Sequence, residues 1–438
     1  MRTRRAGAVD DTLGLLCGGY AWLPSRWRRG GDAPVPLRLL GQRATVLRGP
    51  DAVRFFYDER HIRRRGAVPE PVQATLFGRG AVHTRDGAAH RHRKAMFTSL
   101  LADPRQVAAL RARVAAAWDG AVAAAGAGPT TVFGLAGRAL TEGVADWAAV
   151  PAPPDGTQAL ARDLLAMVDG FASLGPRHWR ARRARGRRED WLAGLVRQTR
   201  AGGLGVPADS ALAAVARHRD AEGRLLPPTL AAVELLNLLR PTVAVSWFAA
   251  FTAHALHRWP RHRDPLRAGD AAYAVAFAHE VRRFYPFAPF VGGRAVRDLT
   301  WRGQHLPAGS LVLLDLFGQD HDGGCWPRPY RFDPRRFLGR SPDPDALVPQ
   351  GGGDPRTGHA CPGQDVTVAL TAGFATWLAR LEYTVPPQDL AIPLGRIPTL
   401  PRSGFVVAGI RPRRAAPAGH RAPGATAWPA SARGSPSR

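Results

Sequence analysis

Cys361 lies in a glycine-rich segment, 350–364, that reads QGGGDPRTGHACPGQ and leads into a helical pattern. Glycines let the backbone approach a flat ligand closely and adopt positive φ angles. Pro362 suits the first turn of the following helix, and the free N–H groups of such a turn can stabilise a thiolate. The segment therefore suits a sulfur that binds iron, although a lone cysteine can equally be a buried and inert thiol.

Two further motifs favour the iron-binding interpretation. Glu280 and Arg283 are three residues apart in a helical pattern, so their side chains share a face and can form a buried ion pair. The segment 332–337 reads FDPRRF and can supply another arginine, Arg335, to the same network. Either motif alone would be an ordinary surface pair of little energetic weight.

A long apolar helical pattern, 229–256, contains Arg240 and Pro241 near its middle. Pro241 has no N–H for the carbonyl of the preceding turn, so we expect the helix to bend or open there. Glu234, Asn237 and Arg240 recur every three residues, which places polar groups on neighbouring faces of an apolar helix. A buried Arg240 needs a partner, and Glu234 is one candidate within the chain.

The elements that must position these residues are mostly helical. Helical spacing recurs at Pro104–Ala125, 163–173, 189–201, 229–256, Ala271–Phe284 and 364–381. Strand-like segments occur at 44–47, 293–299, 311–316 and 405–410. Residues 1–10 and 412–438 are rich in Arg, Ala, Gly, Pro and Ser, so we expect flexible ends around a single domain, 11–411. The sequence predicts a mainly α fold with small β-sheets.

The formal net charge of +26 raises the possibility of a nucleic-acid partner, since clustered cations gain free energy by releasing counterions from phosphates. The basic residues concentrate in 177–188 and in the tail, 411–438. No zinc-finger spacing or aromatic-basic RNA motif accompanies them. We interpret them as a solvated basic face and a basic tail, and expect no specific nucleic-acid partner.

Three cysteines, far apart and odd in number, argue against a disulfide framework and favour a reducing compartment. The N-terminus lacks the apolar core and cleavage pattern of a signal peptide. The longest apolar stretch, 241–253, is shorter than the roughly 20 residues that span a bilayer. We therefore expect a cytoplasmic protein without a membrane span.

Taken in order, the Glu-x-x-Arg helix, the Phe-x-Pro-x-Arg-Phe segment and the Cys-Pro-Gly loop resemble the cytochrome P-450 superfamily. The resemblance covers nearly the whole folded unit. It implies a haem b protein in which the haem lies between the long central helix and the loop that carries Cys361. By the same resemblance, Cys361 is the axial ligand of the haem iron, and Glu280, Arg283 and Arg335 are structural.

One departure narrows the family. Ordinary members carry an acid–alcohol pair in the long central helix and use it to deliver protons during dioxygen activation, whereas the corresponding stretch, 237–243, reads NLLRPTV. Further resemblances lie at 76–78, 86–87, 90–94, 175–179 and 350–353. Together with Arg240-Pro241, they are similar to the bacterial fatty-acid peroxygenase branch. Members of that branch use hydrogen peroxide to hydroxylate fatty acids near the carboxylate or to decarboxylate them to terminal alkenes.

Arg240 suits this chemistry because a guanidinium binds a carboxylate with two hydrogen bonds and stays charged where water is scarce. A carboxylate held there could pass a proton between the two oxygens of hydrogen peroxide, and so replace the missing acid. We predict a haem-thiolate peroxygenase of fatty acids, with Arg240 and Pro241 in the catalytic machinery. Its partners would be a fatty acid and hydrogen peroxide, without an obligatory reductase.

The resemblance also assigns residues around the substrate. His83 falls in the segment similar to the distal-pocket loop, where the branch tends to carry Gln in hydroxylases and His in alkene-forming members. Our hypothesis is that His83 favours decarboxylation; an ordinary hydrogen-bonded histidine is the alternative. Phe77 and Phe290 are expected to contact the substrate.

Haem propionates need cations, and the resemblance favours Arg63, His90 and Lys94 for this role. His90 and Lys94 are one helical turn apart, which places them on the same face. Arg294 is a weaker candidate, because basic side chains are abundant in this chain and most are solvated.

Two other functions stay open. A conventional monooxygenase, supplied with electrons by ferredoxin and a reductase, would act on another small molecule, but Arg240-Pro241 in place of the acid–alcohol pair argues against it. A haem-binding sensor, or a non-catalytic protein associated with nucleic acid, would show salt-sensitive DNA binding without peroxide-dependent turnover.

Overall fold

The computed structural model describes residues 10–27 and 33–413 of the chain. The ends expected to be flexible, 1–10 and 412–438, lie outside the described residues except for Asp10 and 412–413, and the single domain at 11–411 stays a prediction. The described helices are α1 (Thr12–Gly18), α2 (Pro50–Tyr57), α3 (Glu70–Val72), α4 (Gly87–Leu101), α5 (Pro104–Ala125), α6 (Val132–Trp147), α7 (Thr157–Asp169), α8 (Pro176–Arg200), α9 (Ala211–Arg217), α10 (Pro228–Val243), α11 (Val245–Arg258), α12 (Arg263–Arg267), α13 (Ala271–Phe284), α14 (Leu316–Asp320) and α15 (Gln364–Arg380).

The described strands are short. They are β1 (Val35–Leu39), β2 (Gln42–Leu47), β3 (Ile62–Arg63), β4 (Thr130–Thr131), β5 (Phe290–Ala295), β6 (Leu299–Trp301), β7 (Gln304–Leu306), β8 (Leu311–Asp315), β9 (Leu381–Thr384) and β10 (Val406–Pro412). They form a five-stranded sheet in the order β1-β2-β8-β5-β3, a three-stranded sheet β4-β10-β9 and the hairpin β6-β7. β2 and β8 are parallel, with Ala44 beside Leu311, whereas the other pairs are antiparallel. The prediction of a mainly α fold with small β-sheets is confirmed.

The core is built around α10 and α11, which are apolar on nearly all sides. Leu235, Leu239, Trp247 and Phe251 are fully buried there, among side chains from α6, α8, α13 and α15. A helix that is apolar all round belongs in the interior of a large protein or in a membrane. Counted together, Pro228–Arg258 is long and apolar enough to cross a bilayer, longer than the apolar stretch expected from the sequence, but 94% of its apolar window is buried inside the protein. It therefore packs as the central core helix.

The predicted opening at Pro241 occurs one turn later, at Ala244. α10 ends at Val243 and α11 begins at Val245. Pro241 cannot donate a hydrogen bond to the preceding turn, while the Ala244 N–H still donates to the Arg240 carbonyl at 3.0 Å. The break therefore lies just beyond Arg240 and separates the part of the helix that carries Glu234, Asn237 and Arg240 from α11.

Most long helices match their sequence pattern, and the differences have local causes. The bounds of α5 and α13 agree with the prediction, whereas 189–201 forms only the second half of α8. The first half of α8 is so rich in arginine that its apolar spacing is hidden. Strand 293–299 divides into β5 and β6, and the prediction omitted α4 and α6.

Candidate functional site

The loop that carries Cys361 is shaped by glycines. Gly351 and Gly353 adopt φ angles of +89° and +75°, and a Cβ on Gly351 would lie 2.5 Å from the Tyr57 hydroxyl oxygen. Only glycine fits such a conformation and approach. α15 begins at Gln364, so Pro362 precedes the helix and does not open its first turn as the sequence had indicated.

The Cys361 sulfur is surrounded by hydrogen-bond donors and cations. Gln350 Nε2 lies 3.7 Å from Sγ, and the Gly363 backbone also hydrogen-bonds to the sulfur. Burial raises the pKa of the Cys361 thiol, and the Gly363 backbone, Lys94 and Arg282 oppose this rise. These groups stabilise negative charge on the sulfur, as an iron-ligating thiolate requires.

Arg282 and Gln350 are site residues that the sequence analysis did not identify. Arg282 is buried, and its Nε donates to Gln350 Oε1 at 3.1 Å while its Nη2 donates to Gln364 Oε1 at 3.2 Å. Gln350 also donates to the Thr367 hydroxyl at 3.0 Å. Arg282 lies in the Glu-x-x-Arg motif and Gln350 begins the Gly-rich loop. These positions were the signal in the sequence that could have identified them.

The Glu280–Arg283 pair is formed and fully buried. Arg283 Nε and Nη2 donate to the two Glu280 carboxylate oxygens at 2.7 and 2.8 Å. The Asp333 backbone N–H donates to the same carboxylate at 2.8 Å. Such a bidentate pair satisfies both charges within the interior.

The prediction that Arg335 joins this network is wrong. Arg335 is exposed, and its neighbour Arg336 places Nε 3.1 Å from Glu280 Oε2. Both lie in the 3-10 turn Pro334–Phe337, where adjacent side chains point in different directions. The Phe-x-Pro-x-Arg spacing itself ends on Arg336.

Arg240, on α10, is buried, with 5% of its surface exposed. Its Nη2 donates to Asn237 Oδ1 at 3.0 Å, and its guanidinium carbon lies 5.9 Å from the centre of the Phe77 ring. Its Nε is buried without a hydrogen-bond partner, and no carboxylate of the described residues lies within ion-pair distance. Burial lowers the pKa of Arg240 to about 9.

Glu234 is not the partner of Arg240. It is fully buried, lies 3.1 Å from Arg93 Nη1, and accepts the Val82 backbone N–H at 2.9 Å. Asn237 separates it from Arg240, because Asn237 Nδ2 donates to the Phe77 carbonyl at 2.8 Å and lies 3.4 Å from Glu234 Oε2. These two acceptors orient the amide so that its oxygen faces Arg240.

His83 lies beside the same group. Its ring is 4.4 Å from the Phe77 ring, and its Nδ1 is buried without a hydrogen-bond partner. Burial, followed by the positive charges of Arg240 and Lys94, lowers the pKa of His83 well below 6.5. The structure therefore brings together three predicted site residues, Phe77, His83 and Arg240, with a neutral imidazole among them.

Phe290 is placed apart from this group. It is the first residue of β5 and packs against the apolar cluster of β1, β2 and β8 that contains Leu37 and Val46. No described contact connects Phe290 with Arg240 or Phe77, so its substrate-binding role stays a prediction. Phe287, just before the strand, packs against Phe248 of α11 at 4.7 Å.

The residues expected to bind propionates are only partly brought together. His90 is buried and its ring stacks on His359 at 3.8 Å; burial lowers the pKa of His90 to about 3. Lys94 Nζ donates to the Gly358 and Ala360 carbonyls at 2.7 and 2.5 Å, and burial lowers the pKa of Lys94 to about 8.

Arg63, which was predicted to bind a propionate, differs in burial from its neighbour Arg64. Arg63 is exposed on β3, whereas Arg64 is buried and stacks on the Phe56 ring at 4.4 Å. Successive side chains of an extended chain point in opposite directions, so only one of the two arginines faces inward. The charge of Arg64 acts on both His90 and Lys94, which makes Arg64 a further candidate for this group, and the role of Arg63 stays a prediction.

These residues fit a haem group. Arg240 Nε, His83 Nδ1 and His90 Nδ1 are buried polar atoms without partners, and buried polar atoms of this kind normally have hydrogen-bond partners. The Cys361 sulfur lies close enough for its charge to act on Arg240 and Lys94. Cys361 would ligate the iron, while Arg64, His90 and Lys94 would face the propionates.

Comparisons with known proteins agree with this fit. The family model for cytochrome P-450 matches residues 269–400. Cytochrome P-450 4A11 of Homo sapiens is 29% identical over 181 residues, which is 37% of this chain and 33% of that protein. The chain spans about a third of the length of the curated relatives it matches.

Solved structures match along nearly the whole chain. Cytochrome P450SP alpha (CYP152B1) in complex with (R)-ibuprophen is 40% identical, with a TM-score of 0.89 and coverage of 92% of this chain and 99% of that one. P450EX alpha (CYP152N1) with myristic acid is 35% identical, with a TM-score of 0.89 and coverage of 93% and 98%. Ligand-free OleT is 33% identical, with a TM-score of 0.90 and coverage of 94% and 99%. The chain therefore belongs to the cytochrome P-450 superfamily, in its bacterial fatty-acid peroxygenase branch.

Proposed function

We propose that this chain is a haem-thiolate peroxygenase that uses hydrogen peroxide to hydroxylate fatty acids at the α or β carbon. The observation that carries the proposal is Arg240, a buried guanidinium without a carboxylate partner among the described residues. A buried charge is costly unless it is paired, so this site favours a ligand that brings a negative charge. A fatty acid brings one carboxylate and an apolar chain, which suits the apolar surroundings.

Each group of the chain has a distinct task in this proposal. Arg240 binds the substrate carboxylate, and Asn237 holds the guanidinium by accepting a hydrogen bond at 3.0 Å. Pro241 leads to the helix opening at Ala244. When bound through Cys361, haem b supplies the oxidising chemistry, and hydrogen peroxide is the oxidant.

The chain itself offers no acid–alcohol pair at this position. Thr242 is the nearest alcohol on the central helix, and its hydroxyl already donates to the Leu238 carbonyl at 2.9 Å. Glu234 is paired with Arg93. The anchored carboxylate of the substrate is then the group that can accept and return a proton as peroxide is consumed. This requirement makes turnover depend on a carboxylic acid.

The comparisons support the substrate class. P450EX alpha was solved with myristic acid and P450SP alpha with (R)-ibuprophen, and both ligands are carboxylic acids. For this chain we propose a fatty acid of medium or long chain, with 2- or 3-hydroxy acids as products. Decarboxylation to a terminal alkene is a further proposed reaction, favoured by the neutral His83. A reductase is not required in this scheme, and a cytoplasmic location is expected.

The test combines purified holoprotein, a fatty acid and hydrogen peroxide without any reductase, and identifies the products by mass spectrometry. We expect hydroxy acids with the acid and no oxidation of the corresponding methyl ester, because the ester cannot pair with Arg240. Absence of turnover, with activity restored by ferredoxin and a reductase, would reject the proposal in favour of a conventional monooxygenase.

A further inference from the structure

Glu234, fully buried on α10, has no task in the proposed reaction. Its oxygen Oε1 accepts the Val82 backbone N–H at 2.9 Å and lies 3.1 Å from Arg93 Nη1. Its other oxygen, Oε2, lies 3.4 Å from Asn237 Nδ2. One carboxylate thus receives donors from α4, from α10 and from the 3-10 turn Val82–Thr84.

The turn depends on this carboxylate for its first N–H group. Within the turn, the Thr84 and Arg85 N–H groups donate to the Ala81 and Val82 carbonyls at 3.0 and 3.2 Å. The Val82 N–H comes before these bonds, and the first N–H of such a turn has no acceptor within it. Val82 is buried, and a buried N–H needs an acceptor. Glu234 supplies this acceptor from 152 residues away.

Arg93 holds the other side of the same stretch. It is buried, and its Nη1 donates both to Glu234 Oε1 and, at 3.3 Å, to the Gly80 carbonyl. The Gly80 carbonyl and the Val82 N–H flank Ala81, which is fully buried. A buried polar network whose members are satisfied is rigid. The Glu234–Arg93 pair therefore fixes the backbone of 80–82, directly before His83.

The position of His83 follows from this backbone. Its Nδ1 is buried without a hydrogen-bond partner, so no bond at this atom fixes the ring, which lies 4.4 Å from the Phe77 ring. Asn237 donates to the Phe77 carbonyl at 2.8 Å and accepts from Arg240. Two neighbouring polar residues of α10 thus hold the two segments that carry Phe77 and His83 beside Arg240.

We propose that Glu234 and Arg93 are positioning residues, which fix His83 relative to a carboxylate bound at Arg240 and so set the ratio of alkene to hydroxy acid. This role rests on the proposed function. A displacement of about 1 Å at a reacting group can change a rate by about 100-fold, so a small movement of the turn is enough to alter the products. A purely structural pair would stabilise the fold without acting through His83.

The first experiment follows the turn itself, by hydrogen exchange of the holoprotein read at single residues by mass spectrometry. Glu234→Met removes both carboxylate oxygens, and the Val82 amide should then exchange about tenfold faster or more, because its acceptor is lost. Asp163→Leu removes another buried carboxylate, which pairs with two arginines of α8, and is the matched control. It should leave exchange at 80–85 unchanged. Unchanged exchange in Glu234→Met, or equal acceleration in the control, would overturn the inference.

The second experiment measures products with a fatty acid and hydrogen peroxide. Arg93→Gln should lower the ratio of alkene to hydroxy acid severalfold, toward the value of His83→Gln. Arg93→Lys keeps a positive donor for both acceptors and should restore the ratio. In a His83→Gln background, Arg93→Gln should have no further effect, because it acts through His83. An unchanged ratio in Arg93→Gln, or the same fold-change in both backgrounds, contradicts the positioning role.

Should Glu234→Met fail to fold, Arg93→Gln decides by the same exchange measurement, and severalfold faster exchange at 80–82 is expected. Absence of turnover in the unaltered chain rejects the proposed function, while hydrogen exchange still decides whether Glu234 and Arg93 hold the turn. Normal turnover with unchanged exchange and product ratio rejects the positioning role alone. The two failures are therefore distinguishable.

Discussion

Two buried helices, α13 and α10, each carry a glutamate and an arginine, but the two arginines have different partners. On α13, Glu280 and Arg283 pair directly at 2.7 and 2.8 Å, and Arg336 adds a third charge. On α10, Glu234 pairs with Arg93 of α4, and Arg240 donates to the amide oxygen of Asn237. A carboxylate therefore balances the charge of Arg283 on α13, whereas no carboxylate of the described residues balances the charge of Arg240 on α10.

The difference separates a structural arginine from a binding arginine. A closed, buried ion pair has no charge left for a ligand, and its removal leaves an uncompensated partner. Arg240 is almost as buried but has an unused Nε, so the protein bears the cost of a buried charge that a ligand can offset. Burial alone therefore does not distinguish the two roles; the partner of the guanidinium does.

The largest expected effect is the loss of stability when the buried Glu280–Arg283 pair is broken. Glu280→Gln leaves Arg283 and Arg336 beside a neutral amide and should lower the free energy of unfolding by about 3–5 kcal/mol. Denaturant unfolding of the holoprotein measures this change. Glu59→Gln, which breaks the exposed pair with Arg91, is the control and should cost at most about 1 kcal/mol. Equal losses in the two variants would contradict the structural role.

Arg240→Met should weaken ligand binding without lowering stability, which is the opposite of what we expect for Glu280→Gln. We expect carboxylate binding to weaken by about 2–3 kcal/mol, because a charged hydrogen-bond donor is lost. The free energy of unfolding should stay unchanged or rise, since an unpaired buried cation is removed. Fatty-acid titration followed by the haem absorption spectrum, together with denaturant unfolding, measures both. Arg258→Met, exposed at the end of α11, is the control and should leave both values unchanged.

Asn237→Asp would give Arg240 a carboxylate partner, as Arg283 already has in Glu280. A carboxylate at this position would pair with Arg240 in place of the substrate, and we expect fatty-acid affinity to fall by about 1–2 kcal/mol. Asn237→Ala removes the amide without adding charge and should cost less affinity. Titration of both variants, at matched haem content, tests this order, and an Ala variant that binds more weakly than the Asp variant would refute it.

The pH dependence of fatty-acid binding is a further test of the role of the Arg240 charge. Burial lowers the pKa of Arg240 to about 9, and a basic group whose pKa is lowered loses its charge as the pH rises through that value. Fatty-acid affinity should therefore be constant near neutral pH and fall by about tenfold per pH unit well above 9. Arg240→Met should show no such fall, and the same decline in that variant would assign it to another group.

The smallest expected effect concerns product choice at His83. Burial and neighbouring cations keep the pKa of His83 well below 6.5, so the ring is neutral at neutral pH and the ratio of alkene to hydroxy acid should not titrate between about pH 6 and 8. His83→Gln should lower this ratio severalfold without changing carboxylate affinity. Mass spectrometry of the products measures it, and an unchanged ratio would remove His83 from the reaction.

Much of the fold was predictable because the long helices have regular apolar spacing. The bounds of α5 and α13 followed from the pattern, and Pro241 indicated an opening within one turn of its position. The first half of α8 was not recognisable, because arginines cover the positions that would show periodicity. Irregular loops and short strands depend on tertiary contacts and were predicted less well.

Two differences at the site concern neighbouring arginines. Arg336 and not Arg335 reaches Glu280, and Arg64 is buried whereas Arg63 is exposed. In both cases the sequence offers two chemically identical side chains, and the local backbone direction sets which of them points inward.

The sequence by itself determined the family, the cysteine that can ligate the haem iron, the absence of an acid–alcohol pair at 237–243 and the presence of Arg240. These features depend on residue types at short spacing along one segment. Tertiary structure alone decided which charges meet. Glu234 is paired by Arg93, which is 141 residues away in the chain, and this distant contact leaves Arg240 available for a ligand. The partner of a buried charge is set by packing between elements, which local sequence spacing does not specify.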